Sequence, residues 1–185
     1  MGGVNTDEQL VQQAIHGGDA AFAELVERYR DKLYRFLVTR CASAADAEDA
    51  TQDAFINAYR YLDSFNPKWR FSTWIYRIAL REAGKARQVP TAEGEEPVAS
   101  EDPLADCIEE GERRNLWMTA RRVLSADTFT AMWLHYAEDM PMKDVARTMD
   151  RSLSWTKVNM LRARRKLQQE MLADDNVDHR STSYG

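Results

Sequence analysis

At 185 residues, 44% hydrophobic and 30% charged, the chain suffices for one ordinary domain or two small ones and has the balance of a soluble globular protein. No apolar run approaches the ~20 residues that cross a membrane, and the first seven residues carry neither the basic stretch nor the apolar core of a secretion signal, so a cytoplasmic protein is expected. Two cysteines (Cys41 and Cys107) and three scattered histidines (His16, His135 and His179) lack metal-ligand spacing, so free thiols, no metal and no cofactor are expected.

The net charge of −5 conceals a division along the chain. Residues 1–88 hold 12 basic and 12 acidic residues, and residues 89–112 hold nine acidic and no basic ones. Residues 113–172 hold 12 basic against six acidic, and the last 13 residues one against three. Asymmetry of this kind makes the C-terminal segment a seeker of phosphates and the acidic stretch a separate object.

The first 88 residues read as helices. Thr6-Asp7-Glu8-Gln9 has the pattern of a capping box, and Gly17-Gly18 stops the short helix that follows. Asp19 is placed to cap a second helix, on which Phe22, Leu25, Val26, Tyr29, Leu33, Phe36 and Leu37 follow a 3.6-residue period. A third helix starts near Ser43 and turns Ala47, Ala50, Ala54, Ala58 and Leu62 inward, small residues that let neighbouring helices approach closely. Phe65-Asn66-Pro67-Lys68 breaks it. A fourth helix starts near Ser72, with Phe71 and Tyr76 spaced as a hydrophobic staple. No segment alternates as a strand does, so the class is all-α.

From Val89 the composition turns to Pro, Glu and small residues, which cannot bury enough surface to offset ordering entropy, so a flexible acidic linker is expected over 89–112. Asp102-Pro103 is a helix start, and the periodicity resumes through Ile108, Leu116, Val123 and Leu124. Ser125 is placed to cap the next helix, which carries Phe129, Met132, Trp133 and Tyr136. A short helix over 141–149, a turn at Asp150-Arg151 and a long helix from about Ser152 to Met171 form the parts of a helix-turn-helix. Residues 173–185 read as a disordered tail.

On the long helix, Leu153, Thr156, Met160, Ala163 and Leu167 recur at spacings of three and four as an inward stripe. The opposite face carries Lys157, Val158, Leu161, Arg162 and Arg165, with Asn159 and Arg164 at its edges. Arg and Lys neutralise phosphates, Arg or Asn can pair with purine edges, and Val158 or Leu161 can meet a thymine methyl. Eight basic and two acidic residues lie between Lys143 and Lys166, more than a merely solvated face needs. Asp150 and Arg151 stand where such turns usually hold a glycine and an apolar residue.

The N-terminal half adds a second constellation: Asp46-Ala47-Glu48-Asp49-Ala50-Thr51-Gln52-Asp53-Ala54-Phe55, then Leu62-Asp63-Ser64-Phe65, then the aromatic and basic run from Trp69 to Ala79. This succession resembles the second conserved region of extracytoplasmic-function sigma factors of bacterial RNA polymerase. The block from Thr119 to Leu167 resembles their fourth region. The two likenesses stand in the right order with a linker between them: region two over 1–88, region four over 113–172.

The resemblance implies a promoter-recognition subunit that binds core RNA polymerase and makes no bonds itself. It implies docking of the acidic helix face (Asp46, Asp49, Gln52 and Asp53, with Phe55 close by) on the clamp helices of the largest polymerase subunit; composition alone would make this a solvated face. It implies that Lys68, Trp69, Arg70, Arg77 and Arg81 hold the opened minus-ten element, where aromatic faces catch unstacked bases and cations track the backbone. Trp74 and Ile75, near Ile78 at helical spacing, are expected in the core. Lys157, Val158, Asn159, Leu161, Arg162 and Arg165 would read the minus-thirty-five groove, with region four touching the flap of the second large subunit. An anti-sigma factor is a further implied partner. Arg81 and Lys85 depart from the family pattern and leave the preferred minus-ten base open. A stand-alone helix-turn-helix regulator is the competing reading. An enzyme lacks any cluster of His, Cys or phosphate-loop glycines.

Overall fold

The computed structural model describes residues 5–86 and 112–181. The expected acidic linker, the helix start at Asp102-Pro103 with Ile108, Cys107 and the last four residues lie outside the described residues. All regular structure among the described residues is helical: α1 (Asp7–Ile15), α2 (Asp19–Val38), α3 (Ala44–Arg60), a 3₁₀ turn (Leu62–Ser64), α4 (Phe71–Ala86), α5 (Glu112–Val123), α6 (Ala126–Tyr136), α7 (Met142–Thr148) and α8 (Leu153–Ser181). They divide into two compact units, the first holding α1–α4 and Arg147–Met149, the second α5, α6, α8 and the rest of α7.

The first unit is laid out by its helix ends. The Thr6 amide donates to Gln9 Oε1 (2.8 Å) and the Gln9 amide donates back to Thr6 Oγ1 (3.2 Å), so the capping box forms. Gly17 takes the left-handed conformation (φ +89°), and the Gly18 amide donates to the Gln13 carbonyl (3.0 Å), which closes α1 in a Schellman turn. Replacing Gly17 with Ala is expected to lower stability by about 1–2 kcal/mol, read as a lower urea midpoint at unchanged slope.

The cap expected at Asp19 is displaced. Gly18 holds that position without a side-chain bond, and the Asp19 carboxylate instead accepts from the Tyr59 hydroxyl of α3 (2.8 Å). α3 begins as expected, with the Asp46 amide donating to Ser43 Oγ (3.1 Å). α4 begins one residue before the expected Ser72, because the Trp74 amide reaches the Arg70 carbonyl (3.3 Å) and draws Phe71 into the first turn. The expected staple is replaced by two edge-on contacts with α2, Phe71 on Tyr29 (5.2 Å) and Tyr76 on Phe36 (5.0 Å).

The core of this unit follows from periodicity. Leu25, Leu33, Phe36 and Leu37 of α2 are buried with Phe71, Ile75 and Tyr76 of α4, and Ala47, Ala50, Ala54 and Ala58 of α3 are buried as well. The alanines present little more than backbone, which lets α3 pack on both α2 and α4. α1 is fastened to α2 through Asp7, whose carboxylate accepts from Arg28 Nη1 (2.7 Å) and from the Tyr29 hydroxyl.

Burial, aided by the Asp7 hydrogen bond, raises the Tyr29 phenol above its ordinary value of 10.0. The unfolded chain therefore ionises first: this stabilisation is complete below about pH 10 and is lost as pH rises further. Tyr29→Phe should be less stable than wild type at pH 7, with the gap narrowing above pH 10 in a pH series of urea midpoints.

In the second unit, Trp117, Phe129 and Trp133 form an aromatic cluster with Trp117 and Trp133 rings 4.9 Å apart, and α5 and α6 pack on α8. Ser125 caps α6 by accepting from the Thr128 amide (3.3 Å). The turn after α7 is a second Schellman turn: Asp150 is left-handed (φ +55°), and the Arg151 amide donates to the Ala146 carbonyl (2.9 Å). Asp tolerates this conformation better than most residues, so the turn forms without glycine. The helix end expected near Met171 is displaced to Ser181. Residues 172–180 hold neither proline nor glycine, and extending an existing helix requires no new nucleus.

Candidate functional site

Three surfaces carry the sequence-derived candidates. On α3 the alanine stripe faces inward, which turns Asp49, Gln52 and Asp53 to solvent and leaves Asp46 half-buried in the capped first turn. Phe55 is largely buried, with 7% of it exposed, and reaches the surface only as part of a groove that Gln52 also lines. It follows Ala54 directly and falls on the buried side with Thr51, one turn earlier, whose hydroxyl bonds the Ala47 carbonyl (2.6 Å). The apolar exposure lies one residue further on, at Ile56 (52% exposed) and Tyr59, beside a groove between α2 and α3 floored by Phe55. Sequence reasoning missed Ile56. Its signal is a large aliphatic side chain one position beyond the buried Ala54-Phe55 pair, pointing away from the core.

The second surface is the loop before α4 and the outer face of α4. Phe65 and Phe71 are buried at the two ends of the loop, and both pack against Trp74 (5.4 and 6.1 Å). Between them a turn forms: the Trp69 amide donates to the Asn66 carbonyl (2.9 Å) and the Lys68 amide to Asn66 Oδ1 (3.0 Å). With its ends clamped, the loop turns Lys68 and Arg70 to solvent and leaves Trp69 half-buried. The Arg77 guanidinium lies over the Trp69 ring, 5.8 Å from its centroid. Arg81, one turn further along α4, is exposed. The structure thus brings Trp69 and Arg77 together across eight residues of sequence, with Lys68, Arg70 and Arg81 around them as exposed cations. Trp74 and Ile75 are core, as expected. Lys85 is engaged by both carboxylate oxygens of Glu82 (2.9 Å each).

The third surface is α8. Thr156, Met160, Ala163 and Leu167 are buried, and the Thr156 hydroxyl is satisfied by the Ser152 carbonyl (3.1 Å), which lets a polar residue stand in an apolar stripe. Leu153, expected in that stripe, is 38% exposed, because as the first residue of α8 it precedes the stretch that packs. Opposite the stripe, Lys157, Arg162 and Arg165 are exposed with Val158 (45%) and Leu161 (50%). Asn159 is half-buried and its Nδ2 donates to the Trp155 carbonyl (2.9 Å), so its amide is partly committed to its own helix. Arg164 turns back to α6, donating to the Tyr136 hydroxyl and lying over its ring.

Among the described residues no group of three or more His, Cys, Asp or Glu is placed to hold a metal ion, and no helix is long and apolar enough to cross a membrane. The three surfaces thus present carboxylates beside Ile56 on α3, cations with Trp69 before and on α4, and cations with Val158 and Leu161 on α8.

Residues 25–87 match the family model for sigma-70 region 2. The chain is 32% identical over 185 aligned residues to an ECF RNA polymerase sigma-E factor of Haemophilus influenzae, covering 90% of this chain and 95% of that one. Among solved structures it resembles CnrH, in a complex with the cytosolic domain of CnrY (TM-score 0.69, 24% identity, 92% of this chain and 99% of that one). It also resembles the Bartonella quintana sigma factor RpoE, in a complex with the anti-sigma factor NepR (TM-score 0.58, 21% identity, 83% and 98%). The chain belongs to the extracytoplasmic-function (ECF) sigma factors of RNA polymerase. Its function is that of the family, to bind core RNA polymerase and direct promoter recognition and transcription initiation, and the stand-alone regulator is not favoured.

Proposed function

We propose that the two units divide this work, with region two over 1–88 and region four over 113–172. In the first unit, Asp46, Asp49, Gln52 and Asp53 dock on the clamp helices of the largest polymerase subunit, with Phe55 in the groove floor and the exposed Ile56 supplying the apolar contact. Lys68, Trp69, Arg70, Arg77 and Arg81 hold the opened minus-ten strand. In the second unit, Lys157, Val158, Leu161, Arg162 and Arg165, with Asn159 at the edge, meet the minus-thirty-five major groove, and the unit touches the flap of the second large subunit. The acidic 89–112 stretch tethers the two, so one promoter engages both at raised effective concentration.

The observation that carries this reading is the partition of α8 into a buried stripe and an exposed basic face, which suits a helix lying in a groove. Bond-making belongs to the polymerase, and the protein works in the cytoplasm, where polymerase and promoters are. An anti-sigma factor is its regulatory partner, by likeness to a family whose solved members include a sigma–anti-sigma complex.

The reading is tested by promoter opening in the reconstituted holoenzyme. Base–aromatic stacking contributes about 1–3 kcal/mol per base. Trp69→Ala should therefore cut permanganate reactivity of the minus-ten element roughly tenfold or more at limiting holoenzyme, with core binding unchanged. Undiminished opening would remove Trp69 from the strand-holding surface.

A further inference from the structure

A cluster outside the basic row stands at the head of the long helix. Arg151 is the residue that the left-handed Asp150 delivers to the start of α8. Its Nη2 donates to Asp127 Oδ2 of α6 (2.6 Å), and its guanidinium lies over the Trp155 ring, 5.3 Å from the centroid. Trp155 is half-buried in the first turn of α8, where its amide donates to Ser152 Oγ (3.0 Å). Stability gives little account of this cluster. The Arg151–Asp127 pair is exposed on both sides, and exposed pairs contribute ~0–1 kcal/mol.

Position along the helix suggests its use. Residues 155, 158, 162 and 165 recur at intervals of three, four and three, which puts them in one line along α8, and Arg151, in the turn just before Leu153, joins that line through its guanidinium over the Trp155 ring. Arg151 and Trp155 extend the exposed row of Val158, Arg162 and Arg165 towards the N-terminal end. In a helix-turn-helix that end of the second helix approaches the base edges. A guanidinium is a planar fork that pairs bidentately with guanine, and it does so best when its plane is fixed. Trp155 supplies the plane by stacking, and Asp127 engages one corner of the fork.

We infer that Arg151 and Trp155 are specificity-determining residues for the minus-thirty-five element, with Asp127 as their positioning residue. Arg151 reads a guanine edge at the end of the element nearest the α8 N-terminus, and Trp155 packs against the neighbouring base. The inference rests on the assignment of α8 to that groove.

The test is promoter selection by reconstituted holoenzyme from a library randomised across the minus-thirty-five region, with sequencing of bound DNA. A bidentate arginine–guanine contact corresponds to roughly tenfold preference over the next base. Wild type should show that preference at one terminal position. It should fall towards one in Arg151→Ala and in Arg151→Lys, which keeps the charge and loses the fork. Trp155→Ala should weaken it and relax the adjacent position, and Asp127→Asn should weaken it in part. Should Trp155→Ala misfold by thermal melt, Arg151→Lys carries the test alone. If Arg162→Ala changes selection while the Arg151 variants keep the wild-type ratio, this inference is overturned and the groove assignment stands. Uniform loss on all sequences with ratios preserved would make Arg151 a backbone contact and equally overturn it. If neither Arg162→Ala nor the Arg151 variants alter selection, the assignment of α8 fails, and the inference with it.

Discussion

Asp49→Lys combined with Asp53→Lys is expected to abolish core polymerase binding while leaving the helical signal and melting temperature near wild type. Both carboxylates stand on the solvent side of α3, opposite the alanine stripe that packs against α2 and α4. Neither has a role in the core, so reversal should cost the fold little. Between complementary surfaces the effect is large, since like charges brought together cost several kcal/mol. Affinity should fall by at least two orders of magnitude, with the larger change at low salt, as measured by fluorescence anisotropy. A double variant that binds core polymerase as wild type does would return this face of α3 to solvent. Ile56→Ala is the companion test of the apolar contact and should weaken binding without the salt dependence.

The second large effect is expected from Arg162→Ala with Arg165→Ala. Both guanidinium groups are exposed on α8 and lie on the side away from Met160, Ala163 and Leu167. If each neutralises one phosphate, the slope of log affinity against log salt should flatten by about 0.9 for each phosphate no longer neutralised, or nearly two units for the pair. Promoter affinity of the holoenzyme should drop steeply at low salt and converge towards wild type as salt rises. Equal slopes for variant and wild type would take both residues off the DNA.

What the sequence disclosed, and what it withheld, follows from the range of the interactions involved. The caps at Thr6, Ser43 and Ser125 span three residues and depend on little else, so they were legible. So was the left-handed turn at Asp150, because few residues tolerate that conformation. Asp19 was misread because its carboxylate has a competing partner, Tyr59, forty residues away. The burial of Phe55 was hidden for a related reason. The buried arc of α3, packed by two neighbouring helices, is wider than the alanine stripe, and periodicity does not reveal that width. The pairing of Trp69 with Arg77 depends on a loop clamped by Phe65 and Phe71, and that of Arg151 with Asp127 and Trp155 on packing between helices. Trp69 and Arg77 were singled out in the sequence, whereas Arg151 stood out only as a departure at the turn and Asp127 and Trp155 not at all. Only the fold shows which of them touch.

Of all the tests, titration of the purified chain with core RNA polymerase bears most directly on the division of labour proposed here. Stoichiometric binding by co-elution and anisotropy is expected, with displacement by a housekeeping sigma factor and acquisition of promoter-specific binding only in the complex. No binding at micromolar concentrations by the folded protein, or promoter binding as tight without polymerase as with it, would contradict the account.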